Sequence, residues 1–253
     1  MLFADSTFIG VDPTSGHKSF TYAALDKGLN LIALSEGELD DVVAFLAGQR
    51  SAMVAVNAPS GVNRGLIRER MKKSMLTPHK IRGAELRLAE YELRERGITV
   101  TGTPASVKAS PAWMQIGFSL YRRMEKMGFK KYPSDDEQFQ FLETHPYASY
   151  CVMIGNAPLP KPSLEGKLQR QLVLYDRGVR IKDPMEFFEE ITRHKMINGI
   201  WPTGLLYQPE QLDALAAAYT AWLAANKKDQ ITMIGDENEG LIVLPSKELK
   251  EKY

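Results

Sequence analysis

The sequence TFIGVDP, residues 7–13, gives the first indication of the fold. Its first five residues form a short apolar run, and the pair Asp12-Pro13 ends this run, because proline has no backbone N–H to donate to a neighbouring strand. We therefore predict a buried first strand. Residues 19–25 and 29–34 have the same strand character and are separated by a short turn, so the three segments are typical of an antiparallel meander.

A helix and a fourth strand are predicted after the meander. Residues 38–49 carry apolar side chains at helical spacing, and residues 53–56 form another apolar run. A strand, helix, strand crossover of this length makes its two strands parallel, so the fourth strand is expected beside the first. Asp12 and Asn57 then follow neighbouring strands, at the end of the sheet where open α/β sheets bind ligands.

The rest of the chain is predicted to complete one domain that spans residues 1–253. Residues 61–133 are mostly helical in pattern, with one strand-like segment at 98–101, and we interpret them as an insertion. The later predicted elements are a strand at residues 139–143, an alanine-rich helix at 210–225 that opens after Pro209, and a hairpin formed by residues 231–234 and 241–244.

Composition and charge are those of an ordinary globular protein. Hydrophobic residues make up 44% of the chain and the formal net charge is +1, so any surface that binds nucleic acid must be local. The one cysteine, Cys151, excludes an internal disulfide and a metal site built from cysteines alone. Because we find neither a signal peptide nor an apolar run of roughly 20 residues, we expect a cytoplasmic protein with no membrane partner.

Three acidic residues occupy unusual positions in this pattern. Asp12 and Glu143 each end an apolar strand, and Asp213 lies in a helix rich in alanine and leucine. Converging buried carboxylates repel one another unless a divalent cation neutralises them, so we predict that these three residues hold Mg²⁺ or Mn²⁺. Asn57 and His145 are predicted to take part in catalysis beside them. A structural role is an equally good explanation for each acidic residue alone, and it is the more common one for a histidine beside a proline.

A local group of basic residues lies in the first part of the insertion. Arg64, Arg68 and Lys72 recur every four residues and would line one face of a helix, and Arg82 follows nearby. Such a face would contact the phosphates of a nucleic acid. A solvated helix face explains the same pattern equally well.

The chain resembles a known family along most of its length. The motifs that carry the resemblance are FIGVD (residues 8–12), VNAPSG (56–61), RGAE (82–85), ETHP (143–146), DALAAA (213–218) and GLIVLP (240–245). In this order they are similar to the predicted nucleases of ribonuclease-H-like fold that form domain of unknown function family four-twenty-nine.

The resemblance implies a ribonuclease-H-like α/β fold, with a mixed five-stranded central sheet, flanking helices, a helical insertion and a C-terminal hairpin. It places Asp12 on the first strand, Asp213 on the closing helix and Glu143 in the same crevice. Asn57 stands where such folds commonly carry an acid. Because an amide supplies one oxygen without a charge, Glu143 or Glu85 would have to provide the missing carboxylate.

These observations favour a magnesium-dependent nuclease that hydrolyses the phosphodiester bonds of nucleic acid. Two alternatives stay open. One is a protein of the same fold that binds nucleic acid or protein without catalysis, which Asn57 and the near-neutral charge would permit. The other is a nucleotide-dependent phosphotransferase, because residues 12–18 resemble the first phosphate loop of the sugar-kinase, actin and heat-shock-protein superfamily. The oligomeric state also stays open.

Overall fold

The computed structural model describes residues 6–13, 19–74, 83–134 and 138–253, with the backbone alone for residues 71–74. Its strands are β1 Ser6–Asp12, β2 Phe20–Leu25, β3 Leu31–Gly37, β4 Ser51–Val56, β5 Lys130–Lys131, β6 Phe139–Thr144, β7 Thr232–Asp236 and β8 Gly240–Leu244. Its helices are α1 Leu39–Ala47, α2 Leu66–Ser74, α3 Leu88–Glu95, α4 Ala112–Lys126, α5 Pro146–Ile154, α6 Leu164–Asp176, α7 Glu186–Glu189, α8 Arg193–Ile197 and α9 Pro209–Asn226. The predicted meander, the helix after it and the fourth strand are confirmed.

The eight strands of the described residues form one mixed sheet, in the order β3-β2-β1-β4-β6-β8-β7, with β5 paired to β6. β1, β2 and β3 are antiparallel, whereas β1, β4, β6 and β8 run parallel. The prediction of five central strands and a separate hairpin is wrong in its strand count. β8 pairs with the end of β6, and β7 adds an antiparallel edge, so the hairpin extends the central sheet.

The two faces of β1 pack against different layers. Ile9 and Val11 belong to an apolar cluster with α1 and α4, whereas Phe8 packs with the alanine-rich face of α9. Because side chains alternate along a strand, Gly10 and Asp12 share the face of Phe8 and point toward α9. The small side chains of the buried alanines in α9 allow this close packing on the sheet.

Three helices, α2, α3 and α4, lie within residues 61–133, the range of the predicted helical insertion. The strand predicted at residues 98–101 is wrong, because these residues have no strand geometry. Ile98 and Val100 are instead buried in an apolar cluster with α3 and the β7–β8 hairpin. Burial without strand pairing therefore accounts for the apolar pattern at this point.

The long helix α9 covers the centre of the sheet. It has 18 residues, most of them buried, and packs across β1, β2 and β4. Among the helices of the described ranges, none is long and apolar enough to cross a membrane.

Candidate functional site

Asp12 and Asn57 meet at the carboxyl ends of β1 and β4, as the strand pattern predicts. The two strands run parallel with Val11 opposite Val56, and the backbone N–H of Asn57 donates to the carbonyl of Val11 at 2.8 Å. The side-chain amide of Asn57 donates through Nδ2 to Asp12 Oδ1 at 2.9 Å. This hydrogen bond occupies one of the two carboxylate oxygens of Asp12.

The second oxygen of Asp12 is buried without a partner. Asp12 is 0% exposed, and its Oδ2 makes no hydrogen bond within the described part of the chain. A buried polar atom left unpaired costs on the order of 1–3 kcal/mol, and more when it is charged. Burial, and then the carboxylate of Asp213, raise the pKa of Asp12 well above its usual value, while Lys161 and Asn57 oppose the shift. Asp12 Oδ2 is therefore an open acceptor for a proton or a cation.

Asp213 comes from α9 and binds a lysine, Lys161. Lys161 Nζ lies 2.6 Å from Asp213 Oδ2 and 3.9 Å from Oε1 of Glu210, which precedes Asp213 on the same helix. Burial raises the pKa of Asp213, and Lys161 offsets this shift only in part. Burial by itself would lower the pKa of Lys161, but the surrounding carboxylates raise it, so the ammonium is charged at neutral pH.

Lys161 stands in the sequence Pro160-Lys161-Pro162, just before α6. The two prolines restrict the backbone of this segment. The loop is also fastened to α6, because Nη1 of the buried Arg170 donates to the carbonyl of Leu159 at 2.8 Å. Lys161 is not among the residues predicted from the sequence, although the flanking prolines indicate that its backbone is held in one conformation.

Glu143 is bound in a second buried network. Arg87 Nη2 lies 2.5 Å from Glu143 Oε1, and Oε2 accepts from Arg87 Nη1 at 3.0 Å and from the backbone N–H and hydroxyl of Ser60 at 2.7 and 2.9 Å. Arg87 also donates through Nε to Glu90 at 2.8 Å. In the described ranges, no group of three or more His, Cys, Asp or Glu residues is arranged to hold a metal ion. The predicted three-carboxylate set is therefore not assembled there, because Glu143 neutralises a buried arginine.

His145 and Glu85, two further residues predicted for the site, are each engaged in a local contact. His145 caps α5, where its Nδ1 accepts from the backbone N–H of Ala148 at 3.2 Å. Burial lowers the pKa of His145 to about 4, so its ring is neutral at pH 7. Glu85 is exposed and lies 3.3 Å from Arg94, so it does not supply the carboxylate missing at Asn57.

The predicted phosphate-binding residues are described only in part. Arg64 and Arg68 are exposed, but α2 begins after Arg64, so the two do not share a helix face as predicted. The side chain of Lys72 and the whole of Arg82 lie outside the described residues. The predicted face is therefore wrong for Arg64, whereas phosphate binding by these residues stays a prediction.

The comparison with protein families covers most of the chain. The profile of a family described as "Protein of unknown function (DUF429)" matches residues 10–239, which include Asp12, Asn57 and Asp213. Comparison with curated proteins and with solved structures gave no match. The chain therefore belongs to the DUF429 family of proteins of unknown function.

Proposed function

We propose that this protein is a divalent-metal-dependent nuclease of ribonuclease-H-like fold, which hydrolyses phosphodiester bonds in nucleic acid. The observation that carries the proposal is the buried pair Asp12 and Asp213, in which Asp12 Oδ2 has no partner among the described residues. Two buried carboxylates that act on each other are stabilised by a cation between them.

The sheet supports the ribonuclease-H-like assignment. The strands β3-β2-β1-β4-β6 are five consecutive strands of the eight-stranded mixed sheet, and α9 packs across β1, β2 and β4. Asp12 ends the first strand and Asp213 lies on the closing helix, which are the positions that the family resemblance implies. The end of the sheet that carries Asp12 and Asn57 is also where open α/β sheets bind ligands.

The donor set fits one hard cation. Magnesium takes oxygen ligands and is usually held by one or two carboxylates together with waters and substrate phosphates. Asp12 Oδ2 offers an open oxygen and Asp213 a second carboxylate, whereas Glu143 is committed to Arg87. The residues therefore suit a single Mg²⁺ or Mn²⁺ ion whose coordination is completed by substrate phosphates.

A metal ion at this position would supply charge neutralisation for the phosphate and would lower the pKa of a bound water. Residues of the chain itself orient the ligand atoms for this ion. Asn57 holds Asp12 through Oδ1, which leaves Oδ2 free for the ligand. The exposed cations Arg64 and Arg68 would attract the phosphates of nucleic acid, in a manner that does not depend on base sequence.

Cleavage of labelled DNA and RNA oligonucleotides tests the proposal. With Mg²⁺ or Mn²⁺ present, we expect wild-type cleavage that EDTA abolishes. D12N and D213N are expected to lower the rate about a hundredfold or more, because each removes one of the two carboxylates. E85Q is the matched control, since Glu85 is an exposed acid paired with Arg94, and it should keep the wild-type rate.

Binding and melting measurements distinguish the two alternatives from the nuclease. Tight binding of the oligonucleotides without metal-dependent turnover would contradict the nuclease and favour a binding protein. Stabilisation by a nucleotide in a melting experiment would favour the phosphotransferase. That alternative depends on residues 12–18, of which residues 14–18 lie outside the described part of the chain.

A further inference from the structure

Lys161 occupies one of the two carboxylates to which the proposed metal would bind. Its Nζ lies 2.6 Å from Asp213 Oδ2, while Asp12 Oδ2 has no hydrogen-bond partner among the described residues. A cation that belongs to the chain itself therefore already fills half of the candidate metal site.

The balance of charge explains why the ammonium lies there. Asp12, Asp213 and Glu210 all act on Lys161, so one positive charge faces three carboxylates. Arg170 is a second cation that acts on Asp213, but its guanidinium is fastened to two backbone carbonyls at 2.8 and 3.0 Å. Of the two cations, Lys161 is therefore the one whose side chain can move away from Asp213.

The side chain of Lys161 is the movable part of the arrangement. It is 37% exposed, whereas that of Asp213 is 10% exposed. Lysine carries its charge on a flexible four-carbon stem, while the backbone of the loop is fixed through Leu159 and Arg170. Nζ can turn toward solvent without a change in the loop or in α9.

We infer that Lys161 is the resident counter-ion of the site, which a divalent cation must displace from Asp213. The inference rests on the proposed metal-dependent function and adds a regulatory property to it. In the metal-free protein the ammonium lowers the repulsion between Asp12 and Asp213. It also competes with the metal for an Asp213 oxygen, so the metal alone binds more weakly than the two carboxylates would allow.

Calorimetric titration with Mg²⁺ at pH 8 tests this competition. K161Q removes the charge and is expected to bind Mg²⁺ about tenfold more tightly than the wild type. K161R keeps a cation and should keep the weaker affinity. K195Q is the matched control, because Lys195 Nζ lies 2.7 Å from Glu190 in a surface pair, and it should bind Mg²⁺ like the wild type.

The possible outcomes separate the two claims. If the wild type binds Mg²⁺ and folded K161Q binds it equally or more weakly, the inference about Lys161 is overturned and the proposed function stands. If neither protein binds Mg²⁺, with or without a phosphorothioate oligonucleotide, the proposed function fails and the inference fails with it.

A second measurement needs no variant and therefore does not depend on whether K161Q folds. In the wild type, the ammonium protons of Lys161 are protected by the contact with Asp213, and we expect their NMR signal to be lost to solvent exchange as Mg²⁺ is added. A signal that persists unchanged at saturating Mg²⁺ would overturn the inference.

Discussion

Gly10 of β1 and Ala214 of α9 lie so close together that a Cβ atom on Gly10 would be 1.9 Å from the carbonyl oxygen of Ala214. Glycine at this position lets the backbone of α9 rest directly on β1. The contact lies beside the candidate site, because Asp12 follows Gly10 on the same face of the strand and Asp213 directly precedes Ala214. The distance between the two carboxylates thus depends on a glycine.

We predict that G10A destabilises the protein by about 3 kcal/mol or more, because the helix has to move off the sheet. Urea unfolding followed by circular dichroism measures this change. G204A is the control, since nothing lies within 4 Å of a Cβ at Gly204, and it should change the free energy of unfolding by less than about 0.5 kcal/mol. Equal effects of the two substitutions would contradict the account of this contact.

We predict that D12N makes the metal-free protein more stable by about 1–2 kcal/mol at pH 7.5, because it removes a desolvated charge that Asp213 repels. Urea unfolding in the presence of EDTA is the measurement. D40N, which changes an acid whose side chain is 86% exposed, should have little effect. A loss of stability in D12N would mean that the Asp12 charge is satisfied in the metal-free protein.

The proximity of Asp12 and Asn57 was predictable from the sequence, because it follows from the connection between β1 and β4. Residues that follow adjacent parallel strands must lie at the same end of the sheet, and the crossover between β1 and β4 makes these strands parallel. The contact between α9 and the sheet was predictable for a similar reason, since a helix rich in alanine can pack closely.

Pairings between distant segments were not predictable in this way. Lys161 and Asp213 are brought together by the packing of α6 and α9, and no spacing in the sequence reports it. Glu143 lies near the end of its strand, which the apolar pattern indicates, but Arg87, the partner that neutralises it, lies 56 residues earlier in the sequence. The hairpin was recognised by its local pattern, whereas the pairing of β8 with β6 was not.

We predict that E143Q loses stability and keeps the Mg²⁺ affinity of the wild type. Removing one partner of a buried ion pair costs about 3–5 kcal/mol, because Arg87 is left without its counter-charge. Metal binding should persist because Glu143 faces Arg87 and Ser60. Urea unfolding and calorimetry measure the two effects. Loss of Mg²⁺ binding in a folded E143Q would indicate that Glu143 is a ligand of the metal.

We predict that the protein loses stability at acidic pH because His145 becomes protonated more readily in the unfolded chain. Its folded-state pKa of about 4 lies below the usual value of 6.5, so the folded protein binds this proton more weakly than the unfolded chain does. The stabilising contribution is therefore complete above pH 6.5 and is lost as the pH falls toward 4, by at most about 3 kcal/mol.

The variant H145N isolates this effect, because asparagine is a good N-cap that does not titrate in this range. The difference in free energy of unfolding between wild type and H145N should change between pH 7 and pH 4, in the direction that favours H145N at low pH. A difference that is independent of pH would contradict the assignment.

The most direct test of the central claim is an anomalous difference map from a crystal of the wild-type protein soaked in Mn²⁺. We predict one peak within coordination distance of Asp12 Oδ2 and the carboxylate of Asp213, with Nζ of Lys161 moved away, and no such peak in D12N. A map with no peak at this pair, in the presence of a bound phosphorothioate oligonucleotide, would contradict the claim that Asp12 and Asp213 hold a divalent metal.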